Sequence, residues 1–291
     1  IFPALIDRKQ MMSAVSLNSI LWQGSRMILP AIGGFLISIT DTSLIFFICG
    51  IGFFCMMTVL LKLEVRQDNH VNDDPWHEFK EGVKYVLQHR LFLTLILLSW
   101  ISMFFGTSYV QIMPLFAEML QSGERGFGLL ISATGVGSII GNLFISHYQQ
   151  SRKLGIMMLS SAAMAPCSLI GFSLVSWILA STAGAFWMAC FFAILTSALS
   201  SVFLVSSMTV LQIKVPDAFR GRVMGIHSIT FSMISLGGLA AGALAAQFSA
   251  PVAVVIGAFV VLSSVTWVVF KVSEIAKLDL NLQSKQTESF Q

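Results

Sequence analysis

Charge along this chain is confined to short patches, and the runs between them stay apolar for the roughly 20 residues that one helical crossing of a bilayer needs. The longest polar patch before the C-terminal tail is Val65 to Arg90. It carries Asp68, Asp73, Asp74, Glu78, Glu81, Lys80 and Lys84, with His70, His77 and His89. A water-soluble domain spreads its charge over its whole surface. A chain that crosses hydrocarbon cannot, because each charge there costs at least about 2.5 kcal/mol.

Composition agrees. Of 291 residues 56% are hydrophobic and 11% charged, against about 25% charged in soluble domains. The pattern predicts an all-α, multi-pass membrane protein of about eight transmembrane helices: two spans, a connector over 65–90, a six-helix bundle over 91–270 and a tail over 271–291. The spans are expected at Ser16–Ile39, Leu44–Leu63, Leu91–Phe116, Gly128–Ser146, Leu154–Val175, Ile178–Leu204, Val223–Ala246 and Pro251–Phe270. Polar loops are expected at Leu115–Phe127 and Lys214–Arg222. Within the connector, Asp74 and Pro75 are a helix-start pair. Trp76, Phe79, Val83, Val86 and Leu87 then recur at helical spacing, which predicts an amphipathic helix over Pro75–His89. The chain opens at Ile1 without an initiator Met, so we expect a fragment whose first spans lie upstream.

The basic residues test this map. With spans alternating in direction, 17 Lys and Arg fall almost entirely on one side. Arg125 alone falls on the other and Arg26 alone falls inside a span. That asymmetry makes the basic side cytoplasmic, and an even span count leaves both ends of the chain there.

Arg26 sits ten residues into the first span, about 15 Å deep. An ionisable residue at that depth either lines a functional path or pairs with a neighbouring helix to fix packing. Asn18 and Gln23 accompany it. Pro30, Gly33 and Gly34 follow, a kink and a close-approach surface. Gly137 with Gly141, and Gly238 with Gly242, form further small-residue rows suited to helix contact. Tyr109, Gln111 and Trp187 are candidates for lining a cavity, and His227, near the cytoplasmic end of its span, is expected to be reached by water. Catalytic sets are absent from the sequence: no acidic residue falls inside a span, no His pair has zinc spacing, and no phosphate-binding Gly loop with Lys occurs. Cys49, Cys55, Cys167 and Cys190 all fall within spans and fit neither a metal site nor a disulfide framework. We therefore expect no enzyme, no cofactor, no bound metal and no nucleic-acid partner. What remains is a transporter, or a non-transporting membrane module that binds a partner through the connector helix.

Three ordered stretches narrow this. Leu17-Asn18-Ser19, then Arg26, then Pro30-Ala31-Ile32-Gly33-Gly34 resembles the fifth span of major facilitator transporters, in their drug and siderophore exporter branch. Val215-Pro216-Asp217-Ala218-Phe219-Arg220-Gly221-Arg222-Val223-Met224-Gly225 resembles that branch's loop between spans ten and eleven. Glu81-Gly82-Val83-Lys84-Tyr85-Val86 resembles its central-loop helix. The resemblance implies a major facilitator-type helical bundle holding spans five to twelve of twelve. It implies a proton-coupled exporter of small hydrophobic, siderophore-like or drug-like molecules working by alternating access in a bacterial inner membrane, with uptake as the alternative direction. Arg26, with Asn18 and Gln23, would bind substrate or gate. Pro30, Gly33 and Gly34 would form the antiporter-type motif, and Asp217, Arg220, Gly221 and Arg222 the cytoplasmic loop motif. This sequence departs from the pattern at Leu29, where the motif has Gly, and in lacking a carboxylate inside any span.

Overall fold

The structure is a computed structural model that describes residues 42–62, 75–148, 154–182 and 184–271. Among these residues every regular element is helical. Helix α1 runs Thr42–Leu61 and α2 runs Pro75–Gln88. Next come α3 (Arg90–Ile101), a π turn (Ser102–Thr107), a 3₁₀ turn (Ser108–Ile112) and α4 (Met113–Met119). The rest is α5 (Gly123–Tyr148), α6 (Leu154–Ile178), α7 (Ala185–Lys214), α8 (Asp217–Ser228), a 3₁₀ turn (Ile229–Phe231), α9 (Ser232–Gln247) and α10 (Ala250–Lys271).

Seven helical stretches among the described residues are long and apolar enough to cross a membrane: Ser43–Leu61, Arg90–Met119, Gly123–His147, Leu154–Ile178, Ala185–Lys214, Phe219–Gln247 and Ala250–Lys271. They correspond to seven of the eight expected spans. The first expected span lies outside the described residues. The last six stretches form one bundle, with α7 at its centre against α5 and α6, and α10 against α6. No residue of α1's span is buried. Phe46, Phe53 and Leu61 are each more than two-thirds exposed. In lipid that exposure carries no penalty, since acyl chains are as apolar as these side chains.

Hydrophobicity does not drive such helices together, so close packing must. A β-carbon on Gly137 would collide with the Ile194 carbonyl, and one on Gly141 with the Ala198 carbonyl. The missing side chains therefore set the approach of α5 to α7. The same device joins α9 and α10 to the first bundle helix. Gly237 lies against the Phe104 carbonyl and Gly257 against that of Phe105, both within the π turn. Two apolar clusters fill the bundle. One lies around Phe92, Leu95, Met158, Phe203, Val210 and Val223, the other around Tyr109, Phe116, Leu130, Leu169, Phe172 and Ala189.

The helices run further than charge alone suggests. The loop expected at Leu115–Phe127 contracts to Leu120–Ser122. Phe116 and Ala117 are buried while Glu118 points outward, so one acid on an exposed face does not end the helix. Gln121 (φ 51°) and Gly123 (φ 59°) make the reversal in the left-handed region. The loop expected at Lys214–Arg222 contracts to Val215-Pro216, because α7 continues to Lys214 and α8 starts at Asp217. The helix accommodates its polar C-terminal part because the hydroxyls are satisfied within it: Ser206 donates to the Val202 carbonyl at 2.6 Å and Thr209 to that of Val205 at 2.8 Å.

Candidate functional site

Two groups of polar residues stand out in the described bundle. The first is internal. The Ser168 hydroxyl accepts a 2.9 Å bond from Thr196 and donates to the Phe192 carbonyl at 3.3 Å, joining α6 to α7. Ser99 and Ser207 meet at 3.3 Å between α3 and α7. A small cavity beside the π turn is lined by Ser102, Gly106, Thr107, Thr196, Ser200 and Phe203. The Ser102 hydroxyl is buried there with no hydrogen-bond partner among the described residues. A π turn widens the helix and leaves carbonyls and hydroxyls to be satisfied by other means. The cavity is water-sized and polar on one side, which suits a bound water.

The second group lies at the start of α8, in the stretch the sequence singled out. Arg222 Nη1 donates to Glu81 Oε2 at 2.6 Å, and Nη2 donates to Glu78 Oε1 at 3.4 Å. Tyr85 stacks on Phe219 with ring centroids 4.3 Å apart and planes 8° from parallel. Gly82 lets the two helices touch, since a β-carbon there would lie 2.9 Å from Arg222 Cβ. The Arg222 guanidinium also lies 5.7 Å from the Phe219 ring centre. Thus α2 is clamped to α8 by an ion pair, an aromatic stack and a glycine contact. Two motif stretches far apart in the chain come together. Arg220 and Gly221 face outward beside this clamp, and a β-carbon on Gly221 would meet nothing within 4 Å. Asp217 begins α8.

The cavity candidates are separated. Tyr109 is 3% exposed and packs on Phe172 at 5.5 Å inside the bundle, not on a face open to a second bundle. Gln111 is exposed and its stem lies over Gly238, where a β-carbon would come within 2.6 Å of Gln111 Cγ. It therefore sits at the rim of the contact between the 3₁₀ turn and α9. Trp187 is 67% exposed, two residues into α7, and edges against Phe186. That is the setting of an interfacial aromatic anchor. Arg26, Asn18, Gln23, Pro30, Gly33 and Gly34 lie outside the described residues.

His227 corrects an expectation. Helix depth suggested access to water, yet the ring is 2% exposed, with Nδ1 3.5 Å from the Thr230 hydroxyl and Nε2 lacking a partner among the described residues. Val223, Ile226 and Thr230 are buried on the same side, so the apolar face of α8 turns the ring into the protein. Trp100 and Asn142, polar residues within spans that could equally line a cavity or sit satisfied in the core, have Nε1 and Oδ1 buried with no hydrogen-bond partner among the described residues. No local pattern marks a polar atom that tertiary packing encloses.

Comparison with known proteins agrees with this architecture. Two similar proteins are the Enterobactin exporter EntS of Escherichia coli O1:K1 / APEC and that of Shigella boydii serotype 18. Each is 27% identical over 248 residues, 82% of this chain and 57% of the relative. The chain thus spans a little over half the length of the curated relatives it matches. No solved structure matches. Residues 1–290 match the family described as "Transmembrane secretion effector". A span count, a six-helix bundle and that match over nearly the whole chain lead to one conclusion: the chain belongs to the transmembrane secretion effector family of major facilitator transporters.

Proposed function

We propose that the complete protein is a secondary active, proton-coupled exporter of small hydrophobic molecules of the siderophore or drug-like class, working by alternating access in the bacterial inner membrane with both ends of this chain cytoplasmic. The observation that carries the reading is the family match over residues 1–290 on a chain whose last six spans pack into one bundle. The relatives named for enterobactin export support the siderophore class as the first to test. A six-span bundle preceded by a helix that buries none of its residues fits a two-bundle transporter in which substrate is held between halves that rock against each other. Gln111, exposed at the edge of the α9 contact, is a candidate to face that path. The substrate partner is a small molecule, the coupling ion is the proton and the surrounding partner is lipid.

The test compares cells lacking the gene with cells restored by the complete gene, for accumulation of a siderophore and a panel of dyes. Lower accumulation of one compound on restoration, abolished by a protonophore, is the expected result. Higher accumulation on restoration reverses the direction to uptake. No difference for any compound sinks the exporter reading.

A further inference from the structure

The clamp on Arg222 sorts the side chains of α2 into two sets. Glu78, Glu81, Gly82 and Tyr85 turn toward α8. On the other side lies a stripe of Trp76, Phe79, Lys80, Val83, Lys84 and Leu87. Trp76 is 60%, Phe79 42% and Leu87 61% exposed. Trp76 stacks on Phe79 at 5.7 Å, and Lys80 Nζ lies 5.3 Å from the Trp76 ring centre. Both acids of the helix reach Arg222 on the α8 side, so the stripe presents aromatic and aliphatic surface with two lysines, along the edge that borders Glu81.

Helix length and charge give its depth. The stretch Phe219–Gln247 has 29 residues, about 43 Å at helical rise, against a hydrocarbon core of about 30 Å. Arg220 and Arg222 lie in its first turns, and hydrocarbon excludes such charges, so the excess length, around Phe219 to Gly225, reaches the headgroup layer. This is the segment on which α2 is clamped. The other end of α2 is tied to the same layer, since His89 alone separates it from α3.

We propose that the outward stripe of α2 is a seat for anionic phospholipid headgroups: Trp76, Phe79 and Leu87 enter the boundary between headgroups and acyl chains while Lys80 and Lys84 reach the phosphates. An apolar stripe flanked by lysines, held at headgroup depth, matches an anionic leaflet in both charge and polarity. Lysine stems lie along the apolar surface and put their ammonium groups among the phosphates. The proposal does not depend on which molecule the protein moves.

The complete protein is placed in nanodiscs of phosphatidylglycerol and phosphatidylcholine, with one lipid brominated near the headgroup end of its chains. The share of fluorescence lost in Trp76→Phe isolates that tryptophan from the other five. Quenching of that share by brominated phosphatidylglycerol above its mole fraction is expected, with a preference of about fivefold for each lysine. Lys80→Gln/Lys84→Gln, at exposed positions, removes the preference while leaving the quenching itself. Equal quenching by both brominated lipids in the parent protein overturns the anionic assignment. Quenching of Trp76 by aqueous iodide and not by lipid overturns the seat in favour of solvent. Resistance to both places another part of the protein over the stripe and overturns it equally.

Discussion

At the scale of single residues, the contact between Arg222 and Glu81 is the most specific feature in the described bundle. Their side chains are 25% and 44% exposed, so solvent screens the pair and its coupling is expected at about 0.5–1 kcal/mol. Reversing one charge does more than delete the attraction, because Glu78 also lies within 3.4 Å of the guanidinium. Arg222→Glu faces two carboxylates, while Glu81→Arg leaves Glu78 to share. The expectation is that Arg222→Glu lowers the melting temperature more than Glu81→Arg, and that the double swap regains most of the loss. Thermal unfolding of the four proteins in one detergent checks this, and additive losses would mean the pair is incidental. Arg26 is argued differently. Its expected place ten residues into the first expected span is why we propose it for pairing with an anion or for gating. Arg26→Ala in the complete protein should abolish transport at unchanged expression, and intact transport removes it from the mechanism. The sequence made Arg26 visible because an isolated charge inside an apolar run needs no tertiary information to be noticed. It did not make the enclosure of His227 visible, since that depends on which face of α8 the rest of the bundle covers.

At the scale of elements, packing is governed by where backbone meets backbone. Gly141 faces the Ala198 carbonyl so closely that any β-carbon collides with main chain, which cannot turn aside as a side-chain tip does. Gly141→Ala should separate α5 from α7 at a cost of about 1–3 kcal/mol, read as a lower melting temperature. Gly221→Ala is the matched control in α8, where nothing lies within 4 Å of the new carbon. It should leave stability unchanged or raise it by up to about 1 kcal/mol, because alanine suits a helix interior better. Loss of transport in that control with stability intact would assign the loop motif a role in motion or recognition. The glycine spacing told in advance that α5 would be a contact helix. The amphipathic period from Trp76 to Leu87 likewise told that α2 would be helical, and the helix ends at Gln88. What the sequence hid was the partner: nothing local to Glu81 names Arg222, 141 residues away. It also hid the π turn at Ser102–Thr107. An apolar run reads the same whether it is evenly wound or locally widened against two glycine contacts.

At the scale of the whole molecule, the bundle and the charge pattern bear on one question, which end faces the cytoplasm. Connections at one end of the six-span bundle are short: Leu120–Ser122, residues 179–184 and Phe248-Ser249. They carry no basic residue, and Arg125 lies just inside α5. The opposite end carries α2, Lys214, the start of α8 with Arg220 and Arg222, and Lys271. Moving that end across the membrane would carry this basic set against the potential, at about 2.3 kcal/mol per charge for each 100 mV. Insertion with the basic end retained is therefore strongly favoured, and fusions to the end of the chain test it. A green fluorescent protein fused after Gln291 of the complete protein should fluoresce, and alkaline phosphatase at the same point should be inactive. The reverse pair of results is expected for fusions after Gln121, in the short turn between α4 and α5. Active phosphatase at Gln291 would invert the molecule. Arg222, Glu81 and the lysine stripe of α2 would then face the periplasm, and the loop motif would lie on the side from which an exporter releases its cargo.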